Sequence, residues 1–87
     1  MTAQEALEKL RNCETSGNYQ TNTGNGYYGA YQFSYGTWKS MGTDYERADF
    51  APPEVQDDAA YRLQLRAGFH SQFPGCSKKL GLPLRVE

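Results

Sequence analysis

NTGNGYYGAYQFS, Asn22 to Ser34, packs three glycines, four aromatic rings and five uncharged polar side chains into thirteen residues, with no charge. It is too polar for a buried strand and too aromatic for an ordinary linker. Rings stack on the apolar faces of sugars, amides hydrogen-bond hydroxyls, and glycines let a backbone approach a ligand. Tyr27, Tyr28, Tyr31, Asn22, Asn25 and Gln32 supply the rings and amides. The alternation of rings with small residues also fits a packed hairpin, with at least two rings turned inward. Gly24-Asn25 or Asn25-Gly26 is the expected tight turn. Gln32, between Tyr31 and Phe33, needs hydrogen-bond partners if it is buried.

Upstream, Thr2-Ala3-Gln4-Glu5 reads as a capping box, with Thr2 at the N-cap and Glu5 at N3. Ala3, Leu7, Leu10 and Glu14 then share one helical stripe, with Ala6 and Cys13 beside it. The helix is predicted to run to about Cys13 and to stop at Ser16-Gly17-Asn18. Glu14 therefore closes an apolar face. A carboxyl there is partly desolvated, which disfavours the anion and suits a general acid. Position alone also fits a solvent-facing carboxylate at a frayed helix end.

Downstream, a short helix is predicted from Ser34 to about Met41, ending at Gly42, and Thr43 to Ala51 is polar and irregular. Pro52-Pro53-Glu54 opens the longest helix, with Val55, Ala59, Leu63 and Ala67 on one face and Gly68 as its C-cap. Its acids come early and its arginines late, as the helix dipole prefers. From there on, Pro74, Gly75, Gly81 and Pro83 read as loop, with 77–87 a C-terminal tail. The prediction is one α+β domain over 1–87, mostly helical, with a short irregular β-hairpin.

A chain of 87 residues builds a marginal core. Cys13 and Cys76 allow one intrachain disulfide, worth roughly 4 kcal/mol for a loop of this length; the alternative is two buried free thiols. Pairing would imply an oxidising compartment. A net charge of −1 with mixed signs argues against nucleic acid and anionic membrane as partners. No apolar run is long enough to span a bilayer, and no signal peptide is recognisable. Seven Tyr, four Phe and one Trp exceed what a small core needs, so some rings are expected on the surface. His70 lacks partners at metal-ligand spacing, so no metal site is predicted and it reads as a surface or capping residue. Gly24-Asn25-Gly26 is not a phosphate loop, and no serine sits in a nucleophile elbow.

Several words of the sequence, in order, resemble the resuscitation-promoting factor domain. They are Cys13-Glu14-Thr15-Ser16-Gly17-Asn18-Tyr19, Asn22 to Gly29, Gln32-Phe33-Ser34, Thr37-Trp38 and Pro74-Gly75-Cys76. The chain also resembles the looser lytic transglycosylase signature. It departs from the family pattern at Tyr19 and Phe73, where tryptophan is usual, at Ser16, and at Ala30-Tyr31, each time keeping a ring or a small residue.

The resemblance implies a small lysozyme-like domain acting on peptidoglycan, without a cofactor. It implies that Glu14 is the essential acid, that Gln32 and Thr37 line the sugar cleft, and that Cys13 and Cys76 form a disulfide beside it. Tyr28, Tyr19, Asn22 and Trp38 complete the predicted substrate-binding set. The expected partner is a glycan strand, met by a monomer that inserts in no membrane. The expected location is extracellular or in the cell envelope, with a virion-associated or phage-encoded protein as the alternative. Glu14 is the only acid in the matched words; Asp44, Glu46 and Asp49 are the nearest later ones. The reading is therefore a lytic transglycosylase cleaving the β-1,4 bond between N-acetylmuramic acid and N-acetylglucosamine. Muramidase-type hydrolysis and a non-catalytic glycan-binding module are the alternatives.

Overall fold

A computed structural model describes residues Met1 to Glu87. Helix α1 spans Ala3–Thr15, and both halves of the Thr2/Glu5 capping box form. Ala6, Leu7 and Leu10 are its buried face. It runs two residues beyond Cys13 because Ser16 takes the left-handed conformation (φ 58°), and the Ser16 and Gly17 N–H groups cap Asn12 and Arg11 carbonyls.

The hairpin forms, but not around the predicted turn. Strands β1 (Tyr27–Tyr28) and β2 (Phe33–Ser34) pair antiparallel, so the connection is Gly29 to Gln32. The segment holding Gly24 to Gly26 closes only an isolated bridge between Asn22 and Tyr28. Gly29 decides the matter. Its φ is +78°, and a Cβ there would collide with the Gln56 side chain. Only glycine lets the chain turn so close to the long helix.

Ser34 caps α2 (Tyr35–Ser40), accepting from the Thr37 N–H, and a 3-10 turn follows at Ala48–Phe50. Helix α3 (Pro53–Ala67) ends at Gly68 as predicted. It buries Gln56, Ala59, Ala60, Leu63 and Gln64, while Val55 and Ala67 at the edges of the predicted face are half-buried.

Beyond Gly68, where the sequence reads as loop, the chain holds two further helices, α4 (Phe69–Gln72) and α5 (Pro74–Leu80). Pro74 stands in the first turn of α5, where its missing N–H has no helical partner to lose. Residues 81–87 then return along α3. The Gln64 carboxamide brackets Val86, accepting from its N–H at 2.9 Å and donating to its carbonyl at 2.6 Å. Leu82 is buried, and His70 Nε2 contacts its carbonyl at 2.6 Å.

The core is a single cluster centred on Phe33. Tyr31, Trp38 and Phe73 meet its ring edge-on, with centroids at 6.1, 5.1 and 6.4 Å, the geometry that ring quadrupoles favour. The turn after β1, the helix α2 and the α4–α5 junction thus converge on one side chain. No helix is long and apolar enough to cross a membrane.

Candidate active site

Glu14 lies one residue before the end of α1. Its carboxyl is half-buried and has no ionic or hydrogen-bonding partner in the protein, and burial holds its pKa above the ordinary carboxylate value. The Cys13–Cys76 disulfide forms, with Cα atoms 6.0 Å apart. It draws the start of α5 against the end of α1, which is how Pro74 and Gly75 come to face Glu14.

Gln32 reaches the same place from the hairpin. It ends the Gly29–Gln32 turn with φ +56°, a conformation that costs a non-glycine residue energy. Two contacts hold the turn. The Thr15 hydroxyl donates to the Ala30 carbonyl at 2.9 Å, and the buried Gln56 carboxamide accepts from the Ala30 N–H at 2.9 Å. The residue next to Glu14 is therefore bonded to the turn that carries Gln32. The Gln32 amide itself is satisfied, donating to the Gly29 carbonyl at 3.2 Å and accepting from Asn25 Nδ2 at 3.4 Å.

Two grooves meet at Glu14 and Gln32, which line both. The first, about 350 Å³, is walled by Tyr27, Gln72, Phe73, Pro74 and Gly75. The second, about 630 Å³, is lined by no hydrophobic residue and presents Thr15, Asn18, Asn22, Thr23 and Asn25 among others. One side of Glu14 thus offers rings and the other amides and hydroxyls. No second carboxylate lines either groove. Asp49 is gripped by Arg47, Glu46 is bonded to Lys39 and Tyr35, and Asp57 accepts from two tyrosines.

The predicted site residues divide. Glu14, Gln32 and Asn22 share the site, and Cys13 and Cys76 stand behind it. Thr37 lines neither groove, its hydroxyl accepting from Ser34 Oγ at 3.0 Å. Trp38 is only 1% exposed, and its indole N–H donates to the Tyr45 carbonyl at 2.8 Å; it is a core residue with no face to offer a ligand. Tyr31 is fully buried as well. Tyr19 bonds Asp57 at 2.7 Å and faces a different depression, while Tyr28 lies under the Arg47 guanidinium at 4.8 Å. The exposed ring beside Glu14 is Tyr27 instead. Gln72 and Phe73 join the site at the α4–α5 junction, where Phe73 packs on Phe33 and the disulfide follows at Cys76; the Pro-x-Cys word and the ring before it were their signal in the sequence.

A family model described as a transglycosylase-like domain matches residues 1–76. The chain belongs to this family, and its mixed α+β fold is that of a small lysozyme-like domain. Similar relatives include the resuscitation-promoting factor RpfB of Mycolicibacterium smegmatis, 42% identical over 76 residues covering 85% of this chain and 21% of that protein. Rpf1 of Corynebacterium glutamicum is 36% identical, with 86% and 39% covered, and Rpf of Micrococcus luteus is 37% identical, with 90% and 34% covered. The chain spans well under half the length of each of these relatives.

Proposed function

We propose that residues 1–87 act as one catalytic unit that cleaves peptidoglycan glycan strands outside the cell or in its envelope. The bond is the β-1,4 link from N-acetylmuramic acid to N-acetylglucosamine, and Glu14 is the single acid/base. The observation that carries this reading is Glu14 itself: a half-buried, unpartnered carboxyl at the junction of two grooves that hold no other acid. The resemblance to resuscitation-promoting factors supports the choice of substrate.

Burial keeps the Glu14 proton available. Glu14 donates it to the bridging oxygen as the C1–O bond breaks and positive charge develops on the muramic acid ring. The carboxylate left behind then takes the proton of the muramic acid 6-hydroxyl, whose oxygen bonds to C1. The products are a 1,6-anhydromuramic acid end and a free N-acetylglucosamine hydroxyl, and Glu14 is protonated again. A glycosidase that activates water or forms a covalent intermediate ordinarily needs a second carboxylate, about 5–9.5 Å from the first depending on mechanism. Its absence from both grooves favours the internal nucleophile. Gln32 and the amides of Asn22 and Asn25 hold the strand in this scheme, and Tyr27 and Phe73 offer stacking surfaces.

The test is Glu14→Gln on purified cell walls, with products followed by mass spectrometry. The wild type is expected to release anhydro-muropeptides and the folded variant almost none. Reducing muramic acid ends in place of anhydro ends would mean hydrolysis, and undiminished release by the variant would remove Glu14 from the mechanism.

A further inference from the structure

The polar groove beside Glu14 does not end at Asn22. Asn18 and Gln20 line it and also line a second depression of about 520 Å³ bordered by Tyr45, Phe50 and Pro52. The two make one continuous surface leading from Glu14 to Phe50. The Phe50 ring is 57% exposed, yet it is braced. The Arg47 guanidinium stacks on it at 4.3 Å and on Tyr28 at 4.8 Å. Asp49 grips that guanidinium with bonds of 3.0 and 2.9 Å. A ring held in this way has little rotamer freedom left to lose on binding.

The floor between Glu14 and Phe50 is built from amides. Asn18 and Asn22 use their side-chain oxygens on the Gln20 and Gly24 N–H groups, which leaves their NH2 donors for a ligand. Gln20 is exposed, and its carboxamide makes no bond within the protein. No Lys or Arg lines the depression, and its single acid, Asp49, is already paired. Such a surface suits an uncharged ligand with hydroxyls and an apolar face, and its nearest cation, Arg47, is already held by Asp49.

We propose that Phe50 and Tyr45 form a distal saccharide subsite, stacking a sugar of the strand whose scissile bond lies over Glu14. The inference rests on the glycan-cleaving reading above. It makes the domain selective for long strands over short fragments.

The experiment uses the full chain carrying Glu14→Gln, so that ligand persists, with peptide-free peptidoglycan glycans of disaccharide and octasaccharide length. Amide NMR is expected to show the octasaccharide shifting Gln20, Tyr45 and Phe50 together with the neighbours of Glu14. Adding Phe50→Ala is expected to weaken octasaccharide binding roughly tenfold, the value of burying about half an aromatic side chain, and disaccharide binding far less. Gln20→Ala, on the other rim, is expected to act in the same sense. Shifts confined to the Glu14 grooves, or equal losses at both lengths, would overturn the subsite and leave the glycan-cleaving reading standing. If neither glycan moves any resonance, both fall.

Discussion

The side chain of Gln56 on α3 accepts from the backbone N–H of Ala30 at 2.9 Å, across 26 residues of sequence. Its NH2 group donates to the carbonyls of Tyr19 and Ala51, both at 2.9 Å. One fully buried carboxamide therefore anchors the start of the glycine-rich segment, the turn that presents Gln32, and the entry to α3. None of these stretches has regular secondary structure to satisfy its own backbone.

Gln56→Leu is expected to keep the volume and remove all three bonds. Leaving buried backbone groups unpaired costs about 1–3 kcal/mol each, partly relieved by water, so a net loss of roughly 2–4 kcal/mol is expected. Urea unfolding at neutral pH measures it, and a loss below about 1 kcal/mol would mean that the turn holds without Gln56.

For Glu14 the pH dependence has a definite sign. Burial lifts its folded pKa above the unfolded value, so the folded state binds more protons in the interval between them. The associated stability is complete below the unfolded value and is lost as pH rises through the folded one. Glu14→Gln should therefore raise the Tm at neutral pH, with the gain fading below about pH 4. The same variant should lose about 10²–10⁴ in kcat, the usual contribution of a positioned acid/base. In the wild type, kcat/KM should fall on the alkaline side with a midpoint above the ordinary carboxylate value.

The disulfide joins residues 63 apart in an 87-residue chain. Reduction should lower stability by roughly 3–5 kcal/mol and the Tm by about 10 °C or more. Because this link ties the segment bearing Pro74 and Gly75 to the residue next to Glu14, activity should drop even at temperatures where the reduced protein stays folded. Calorimetry and cell-wall clearance with and without reductant separate the two effects.

Outside both grooves, Asp57 Oδ1 accepts from Tyr31 at 2.6 Å and Tyr19 at 2.7 Å. Burial, reinforced by that carboxylate, pushes the Tyr19 phenol up to about 12 and Tyr31 higher still. Both rings should ionise late in an ultraviolet titration. The stability held by the neutral phenols is present at neutral pH and is lost once pH passes the unfolded tyrosine value of about 10. Asp57→Asn should make Tyr19 titrate earlier and cost roughly 1–2 kcal/mol.

The parts of this fold legible in the sequence were those with local causes. The capping box, the proline start and glycine end of α3, and the placement of Glu14 at the end of an apolar stripe all depend on neighbours within one or two turns. The missed parts depend on distant ones. Helices α4 and α5, with 4 and 7 residues, are too short to form without the core they pack on, and the Pro74-Gly75 start of α5, with Gly81 and Pro83 beyond it, resembles a loop. The hairpin turned at Gly29 rather than at Gly24 to Gly26 because Gln56, far along the chain, leaves no room for a Cβ. Tyr31 is one of several rings the sequence offers for stacking or for the core, and Trp38 belongs to a word of the family resemblance; neither signal says which rings Phe33 gathers inward.

The register of α1 adds a last consequence. Glu14 sits in the final turn of α1, where carbonyls left without helical partners give the helix its negative pole. That potential works in the same direction as burial. It makes the carboxyl readier to hold a proton before the bond breaks, and makes the carboxylate a stronger base afterwards. A helix aimed the other way, with its positive pole at the acid, would favour the anion, leaving less of the protonated form for the first step and a weaker base for the second. The direction of one backbone segment thus serves the donor and the acceptor halves of a reaction that has only one ionisable group to perform them.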